Sequence, residues 1–312
     1  VTKTTTKKLS EFTSADHPVR RKRRLKERAI EFALLLAAAS SVLITMGIVG
    51  ILVSESLPFF TQVSIKDFLT DTEWTPLFEN PRYGILPLLS GTFLTTTIAL
   101  CVAIPLGTVA ATFLSEYLTA TAREILKPIL ELLAAVPTVV YGYFALLFVT
   151  PMLQKIFPTL SGFNVLSAGL VIGIMIVPYV SSLSEDAMRS VPGHLREASF
   201  ALGASRLQTS FRVVIPSAFS GITSAYILGI SRALGETMVV AIAAGMQPQL
   251  TLNPMEPAQT ITAFIVQVSM GDLPHGSIGY QSIYVAGLSL LILTLSFNLL
   301  GLWLRKRFQE KE

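Results

Sequence analysis

Two ionisable residues interrupt an apolar run long enough to cross a membrane. They are Arg232 and Glu236, in Ser231-Arg232-Ala233-Leu234-Gly235-Glu236-Thr237-Met238. Their i, i+4 spacing puts them on one face of a helix, where they can pair. Arginine at the centre of a bilayer costs about 2.5–3.5 kcal/mol on insertion scales. A charge kept there at that cost points to a polar pathway. The fixed donor fork of Arg232 attracts an oxyanion, while Glu236 holds the fork and offsets its charge so that the anion is not trapped. The alternative is a buried ion pair that sets helix register.

A second stretch is polar enough to leave the membrane yet lies between apolar runs. It is Glu197-Ala198-Ser199-Phe200-Ala201-Leu202-Gly203, continuing to Val213-Val214-Ile215-Pro216. Leu195, Ala198, Ser199 and Leu202 fall at i, i+3, i+4 and i+7, which gives a helix one small, mostly apolar face. Pro192 fits the first turn, and Gly203 is placed for a left-handed cap. Ser205 followed by Gln208 reads as a capping box opening a second short helix. Two short helices with a glycine bend suit a groove on a soluble partner. An ordinary amphipathic loop has the same spacing.

The elements that must position these residues are membrane spans. The 312 residues are 51% hydrophobic and 14% charged, against roughly 25% charged in soluble domains. Residues 1–31 hold ten Lys/Arg and four acidic residues, so the basic balance belongs to the tail and not to a folded face. Nucleic-acid binding, which needs a basic folded surface with interleaved aromatics, is excluded. The run Arg20 to Arg28 abuts an apolar segment of about 25 residues, too long for a signal-peptide core and without an Ala-x-Ala site. It reads as a retained span with its basic end in the cytoplasm, near anionic lipid. Residues 1–19 read as disordered. Cys101 stands alone, so neither a disulfide nor a cysteine metal site is supported.

A span needs about 20 apolar residues. Six segments qualify: 29–53, 85–115 (interrupted at Pro105-Leu106-Gly107), 128–152 (with Pro137), 165–183 (with Pro178), 214–246 and 283–304. The expected organisation is a basic cytoplasmic tail over 1–28, the first helix over 29–53, an extracytoplasmic loop over 54–84, a permease core over 85–304 with a cytoplasmic loop at 184–213, and a cytoplasmic tail over 305–312. With both termini inside, 20 of the 24 Lys/Arg are cytoplasmic and three (Lys66, Arg82, Lys155) are outside, Arg232 being within a helix. That bias satisfies the positive-inside rule. The long outer loops 54–84 and 247–282 suit either contacts with a binding protein or a connection over the pore mouth. Pro105, Pro137 and Pro178 each bend a span, as packing kinks or as cavity-lining breaks. Tyr141-Gly142-Tyr143 either lines a pathway or belongs to an aromatic belt. Thr95-Thr96-Thr97 reads as interhelical hydrogen bonders.

No G-x-x-x-x-G-K-[ST] or H-E-x-x-H occurs, and His17, His194 and His275 lie in separate segments. The chain therefore has no P-loop for ATP and no visible metal cluster. It reads as no enzyme, with energy supplied by another chain.

Glu197-Ala198-Ser199, three residues, Gly203, nine residues and Val213-Val214-Ile215-Pro216 resemble the loop of binding-protein-dependent ABC importers, E-A-A, three residues, G, nine residues, I-x-L-P. Ser199, Val213 and Ile215 are the departures. The resemblance implies a coupling helix seated in a cleft of an ATPase subunit, with Glu197, Ala198, Gly203, Leu195 and Leu202 at the contact. The R-A-L-G-E-T-M run at 232–238 is similar to the phosphate-importer permeases of the PstC type, whereas sulfate and molybdate permeases usually read G-E-F-G there. Gly91-Thr92, Pro105-Leu106-Gly107 and Ser115-Glu116-Tyr117-Leu118 add to the likeness, which spans residues 29–304.

This resemblance implies an all-α integral membrane protein with six transmembrane helices in the type I ABC importer (MetI-like) permease fold. It further implies phosphate passage by Arg232 and Glu236, ATP bound by a partner and no cofactor in this chain. The implied partners are a PstA-like permease subunit, a PstB-like ATPase dimer and a PstS-like phosphate-binding protein, in the bacterial plasma (inner) membrane. The same machine for molybdate or sulfate, or a membrane protein reporting phosphate status to a kinase, are the alternatives.

Overall fold

The computed structural model describes residues 18–272, 274 and 276–309; His17, His275, most of the expected N-terminal tail and residues 310–312 lie outside the described residues. The chain divides into two units, Val1–Leu52 and Val53–Glu312.

Helix α1 is Pro18–Gln62, opening well before the expected Ala29. No residue between Ile30 and Val53 is buried. A helix apolar on every side over this length suits a lipid surround.

In the second unit, α2 is Ile65–Thr70 and α3 is Leu86–Thr112, continued by a π-helical stretch Phe113–Tyr117. Next come α4, Ala120–Ala135, and α5, Thr138–Gln154. Helix α6 is Val165–Arg189, α7 Gly193–Ala201, α8 Arg206–Ser217 and α9 Phe219–Leu234. A π-helical stretch Val240–Ala244, α10 (Ile261–Gln267) and α11 (Ile278–Gln309) complete the fold. Among the described residues it is all helical, apart from one isolated bridge between Trp74 and Tyr83.

Among the described residues four helices are long and apolar enough to cross a membrane, or six if each of two bent pairs is one span. The bent pairs correct two expected spans. The third breaks by 82° between α4 and α5, where Pro137 caps α5 and has no N–H to continue α4. The fifth bends by 75° between α8 and α9, and α9 stops at Leu234 instead of running to Met246. The expected interruption at Pro105 is absent, since α3 passes through it as one helix. Helix α6 continues past 183 to Arg189.

Close packing of α3 on α6 is made by glycine. A Cβ at Gly173 would lie 2.6 Å from Val102 Cβ and 2.8 Å from the Ala99 carbonyl oxygen, so the two backbones meet through a missing side chain. Around this contact lies a core of Ala99, Val171, Ile172, Met175, Val239 and Ala243. A second cluster gathers Phe59, Trp74, Leu88 and Phe264, with Trp74 and Phe264 edge-to-face at 4.9 Å between centroids. A third, at the α7 end, holds Ala111, Met188, Val191, Val214 and Ile222.

Thr95 and Thr97 do not bond between helices. Each hydroxyl donates back to its own helix, to Gly91 O and Phe93 O; Thr92, quoted above only for the family likeness, joins α3 to α10 by accepting from Ile261 N at 3.1 Å. The long 247–260 segment folds back on the helices. Leu166 N donates to Pro254 O at 2.8 Å, and Ala258, Gln259 and Thr260 are buried.

Candidate functional site

The chain breaks at Gly235, between the end of α9 and the turn that leads into Val240–Ala244. Non-helical backbone at membrane depth is tolerated where it is buried in protein or lines a cavity. Arg232 lies in the last turn of α9, where the negative end of the helix dipole favours a cation. Its guanidinium lies over the ring of Tyr179 on α6, 4.8 Å from the centroid. Its Nε is buried and has no hydrogen-bond partner.

Glu236 is buried at 6% exposure, but it does not pair with Arg232: among the described residues no ion pair joins them. Because α9 ends between them, the i, i+4 face expected for a continuous helix does not exist. The Glu236 carboxylate instead turns forward. Its Oε1 accepts from Met238 N at 3.2 Å and from Val239 N at 3.4 Å, which satisfies the free N–H groups that open the next helical stretch. Its backbone oxygen accepts from Thr262 Oγ1 at 2.7 Å. The structure thus brings Arg232 and Glu236 to the same break but gives them separate tasks.

Of the expected aromatic run, Tyr141 is buried and Tyr143 is 53% exposed. The Tyr141 hydroxyl donates to Leu133 O at 2.6 Å, bridging the Pro137 break. A Cβ on Gly142 would lie 3.2 Å from Met238 O, so glycine lets α5 approach the segment beyond Glu236.

The second constellation is α7 with its turn. Helix α7 ends at Ala201, and Gly203 follows with φ +81°, the left-handed conformation the sequence required. Ser205 and Gln208 form the expected capping box. Pro192 sits at the N-cap, one residue ahead of the first turn. Glu197, Ala198 and Gly203 are exposed, Leu202 is 89% exposed, and Leu195 packs against the inner cluster of Met188 and Val214. Leu202 is the C-cap of α7, and its N–H donates to Ala198 O at 3.2 Å while its side chain stays in the open.

Sequence reasoning missed Tyr179, which has no spacing signal. It quoted Glu116 without a task, yet Glu116 binds Arg196 of α7 with two hydrogen bonds, from Nη2 at 2.9 Å and Nε at 3.1 Å. It also missed Glu185, whose side chain is fully buried on α6. Lys127 Nζ reaches it at 2.6 Å, with Arg123 and Arg189 at 3.7 and 3.8 Å, tying α4 to α6. The i, i+4 spacing of Glu185 and Arg189 was the available signal.

Residues 103–310 match the family described as binding-protein-dependent transport system inner membrane component. The chain is 35% identical over 274 residues to the probable ABC transporter permease protein YqgH of Bacillus subtilis (strain 168), covering 88% of this chain and 87% of that protein. It is 32% identical over 305 residues to the phosphate transport system permease protein PstC of Xylella fastidiosa (strain 9a5c), covering 89% and 90%. Among solved structures, a chain from a bacterial ABC transporter involved in the import of the acidic polysaccharide alginate superposes with a TM-score of 0.64. That match covers 92% of this chain and 99% of the other at 17% identity, a likeness of fold alone. The fold is the expected type I importer (MetI-like) permease fold, and the family works with ATPase and substrate-binding partners. With up to six apolar spans among the described residues, the fifth of them broken, this chain belongs to the binding-protein-dependent inner membrane components, as a multi-pass permease subunit of an ABC importer.

Proposed function

We propose that this subunit forms part of the passage for inorganic phosphate in an ATP-driven importer. The observation that supports it is the guanidinium of Arg232: held on one face by Tyr179, it keeps a buried Nε without a partner beside a break in the fifth span. A phosphate oxyanion offers acceptors that match the planar donor fork. The PstC name of several relatives agrees with that chemistry. Arg232 supplies the donors. Glu236, buried and capping the next helical stretch, keeps the break in shape and adds a negative charge nearby, so that the anion binds transiently and moves on.

The working complex contains a PstA-like second permease subunit, a PstB-like ATPase dimer that binds ATP and a PstS-like phosphate-binding protein, with both termini of this chain in the cytoplasm. Closure of the ATPase dimer draws on α7 through Glu197, Ala198, Leu202 and Gly203, with Leu195 anchoring the helix from behind. The spans rock from inward- to outward-facing, accept phosphate and release it inside. The test is ATP hydrolysis and uptake by the reconstituted complex, with phosphate, sulfate and molybdate each delivered by its own binding protein. Stimulation by phosphate alone supports the reading. Stimulation by sulfate or molybdate instead moves the substrate to that anion.

A further inference from the structure

Helix α7 is joined through the chain to α6 and α8, but it is joined to α3 through side chains. Arg196 on α7 donates from Nε to Glu116 Oε2 at 3.1 Å and from Nη2 to Glu116 Oε1 at 2.9 Å, at the end of α3. The same guanidinium donates from Nη1 to Val191 O and from Nη2 to Met188 O, both at 2.7 Å. Ser115 Oγ donates to Glu116 Oε1 at 2.8 Å and steadies the acceptor. The two side chains are only 20% and 8% exposed. One fork thus holds the end of α3, the turn after α6 and α7 itself. A bidentate contact fixes angle as well as distance, which a single hydrogen bond does not.

On its other side α7 is tied to α8, where the Ser199 and Thr209 hydroxyls share a hydrogen bond of 2.9 Å. The turn between them is closed by Gly203 N and Ala204 N, which donate to Phe200 O at 2.9 Å and Ser199 O at 3.2 Å, so α7 and α8 form one hairpin. Further along α3, Thr108 shares a 2.6 Å hydrogen bond with Tyr226 of α9, and α9 carries Arg232. A continuous series of contacts therefore runs from α7 through Arg196 and Glu116 to α3, and on to the helix that ends at the break.

We propose that Arg196 and Glu116 are positioning residues of the transport cycle, forming the joint that imposes a movement of α7 on α3 and, through it, on α9. This rests on the reading of α7 as the helix that docks on the ATPase. Without the joint, α7 would move with α8 while α3 stayed behind, and ATP would be hydrolysed without matching movement of α3.

The test uses the complete complex in proteoliposomes, with cysteines removed from the partner subunits and a spin label on Cys101, the exposed cysteine of α3. Glu116→Gln keeps the shape of the acceptor and removes its charge. Arg196→Lys keeps the charge and removes the fork. In both variants the ATPase dimer is expected to copurify, and in Glu116→Gln basal hydrolysis is expected to be unchanged. Phosphate imported per ATP falls about tenfold, within the usual span of coupling effects, and the ATP-driven change at the Cys101 label disappears. A normal import ratio with a normal label response in both variants overturns the joint. So does parallel loss of assembly and hydrolysis in both, which makes the pair a folding contact. Cross-linking of Leu202→Cys to the ATPase tests the underlying reading by itself. If no cross-link forms, the docking role of α7 fails; if it forms while the variants behave as wild type, the joint alone fails.

Discussion

The guanidinium of Arg232 lies 4.8 Å above the ring of Tyr179, on a different helix, and not against Glu236 four residues away. A cation over an aromatic face is held through its face, so its in-plane donors remain free. An ion pair would have used those donors. The arrangement leaves a charged fork positioned but unspent, which is what transient binding of an oxyanion requires.

The first prediction concerns that ring. Tyr179→Phe keeps the π face and should transport like wild type. Tyr179→Leu removes an attraction of about 0.5–2 kcal/mol, which corresponds to roughly 2- to 30-fold weaker phosphate-dependent uptake. Uptake assays on the two variants decide it. Equal loss in both would place the hydroxyl, and not the ring face, at the centre of the effect.

Glu236 accepts two backbone N–H groups. Glu236→Gln keeps an acceptor oxygen and should leave the melting temperature of the assembled complex nearly unchanged. Glu236→Ala leaves those groups without a cap, at a cost of about 1 kcal/mol. Thermal melting in detergent distinguishes the variants. A melting loss for Gln as large as for Ala would show that the charge, and not the cap, is what stabilises the break.

Gly173 and Gly193 make a control pair. A methyl at Gly173 meets the Ala99 carbonyl and Val102, whereas at Gly193 it meets nothing within 4 Å. Gly173→Ala should destabilise the chain by about 1–3 kcal/mol through overpacking. Gly193→Ala should be tolerated. Similar stability of the two variants would contradict the close approach of α3 and α6.

Leu202 projects from the end of α7 with 89% of its surface exposed. Leu202→Asp should change the stability of this chain by no more than about 0.5 kcal/mol, yet weaken association with the ATPase by roughly tenfold or more, as for an interface anchor. Copurification and melting measured together check both halves. Unchanged association would remove Leu202 from the contact.

Glu256, in the loop after the fifth span, accepts from Thr251 Oγ1 at 2.6 Å and Asn253 Nδ2 at 3.0 Å. These bonds, the Thr251 bond first, hold its carboxyl below the ordinary value of 4.5. A depressed carboxyl stabilises the fold above its unfolded pKa and loses that contribution as pH falls through the folded one. The amides of 251–256, judged against their intrinsic exchange rate at each pH, should therefore stay protected at about pH 5 and lose protection only in stronger acid. Glu256→Gln should abolish that acid response. Loss of protection already near neutral pH would show that these bonds do not hold the loop.

Much of this architecture was legible in the chain. Ser205, Gln208 and Gly203 act within a few residues of one another, so local rules place the turn after α7 correctly. The apolar runs revealed spans because bilayer thickness dictates length. What escaped were features decided by distant contacts. Helix α9 stops before Glu236, and apolarity alone could not show that the run from 214 to 246 is broken. Pro105 sits in a helix that continues through it, while Pro137 lies at a sharp bend; the same residue type has opposite outcomes because neighbouring helices decide whether a freed carbonyl is satisfied. Tyr179 beneath Arg232 and Glu116 beneath Arg196 are long-range pairs, which no periodicity announces.

The free fork of Arg232 is proposed to contact phosphate in passage. The most direct measurement is phosphate uptake by the reconstituted complex with Arg232→Ala and Arg232→Lys beside wild type, scored only where the ATPase and binding protein still assemble. Ala is expected to abolish uptake, and Lys, a point charge without the planar fork, to restore only part of it. Uptake at the wild-type rate in Arg232→Ala would contradict that contact and leave Arg232 as a packing partner of Tyr179.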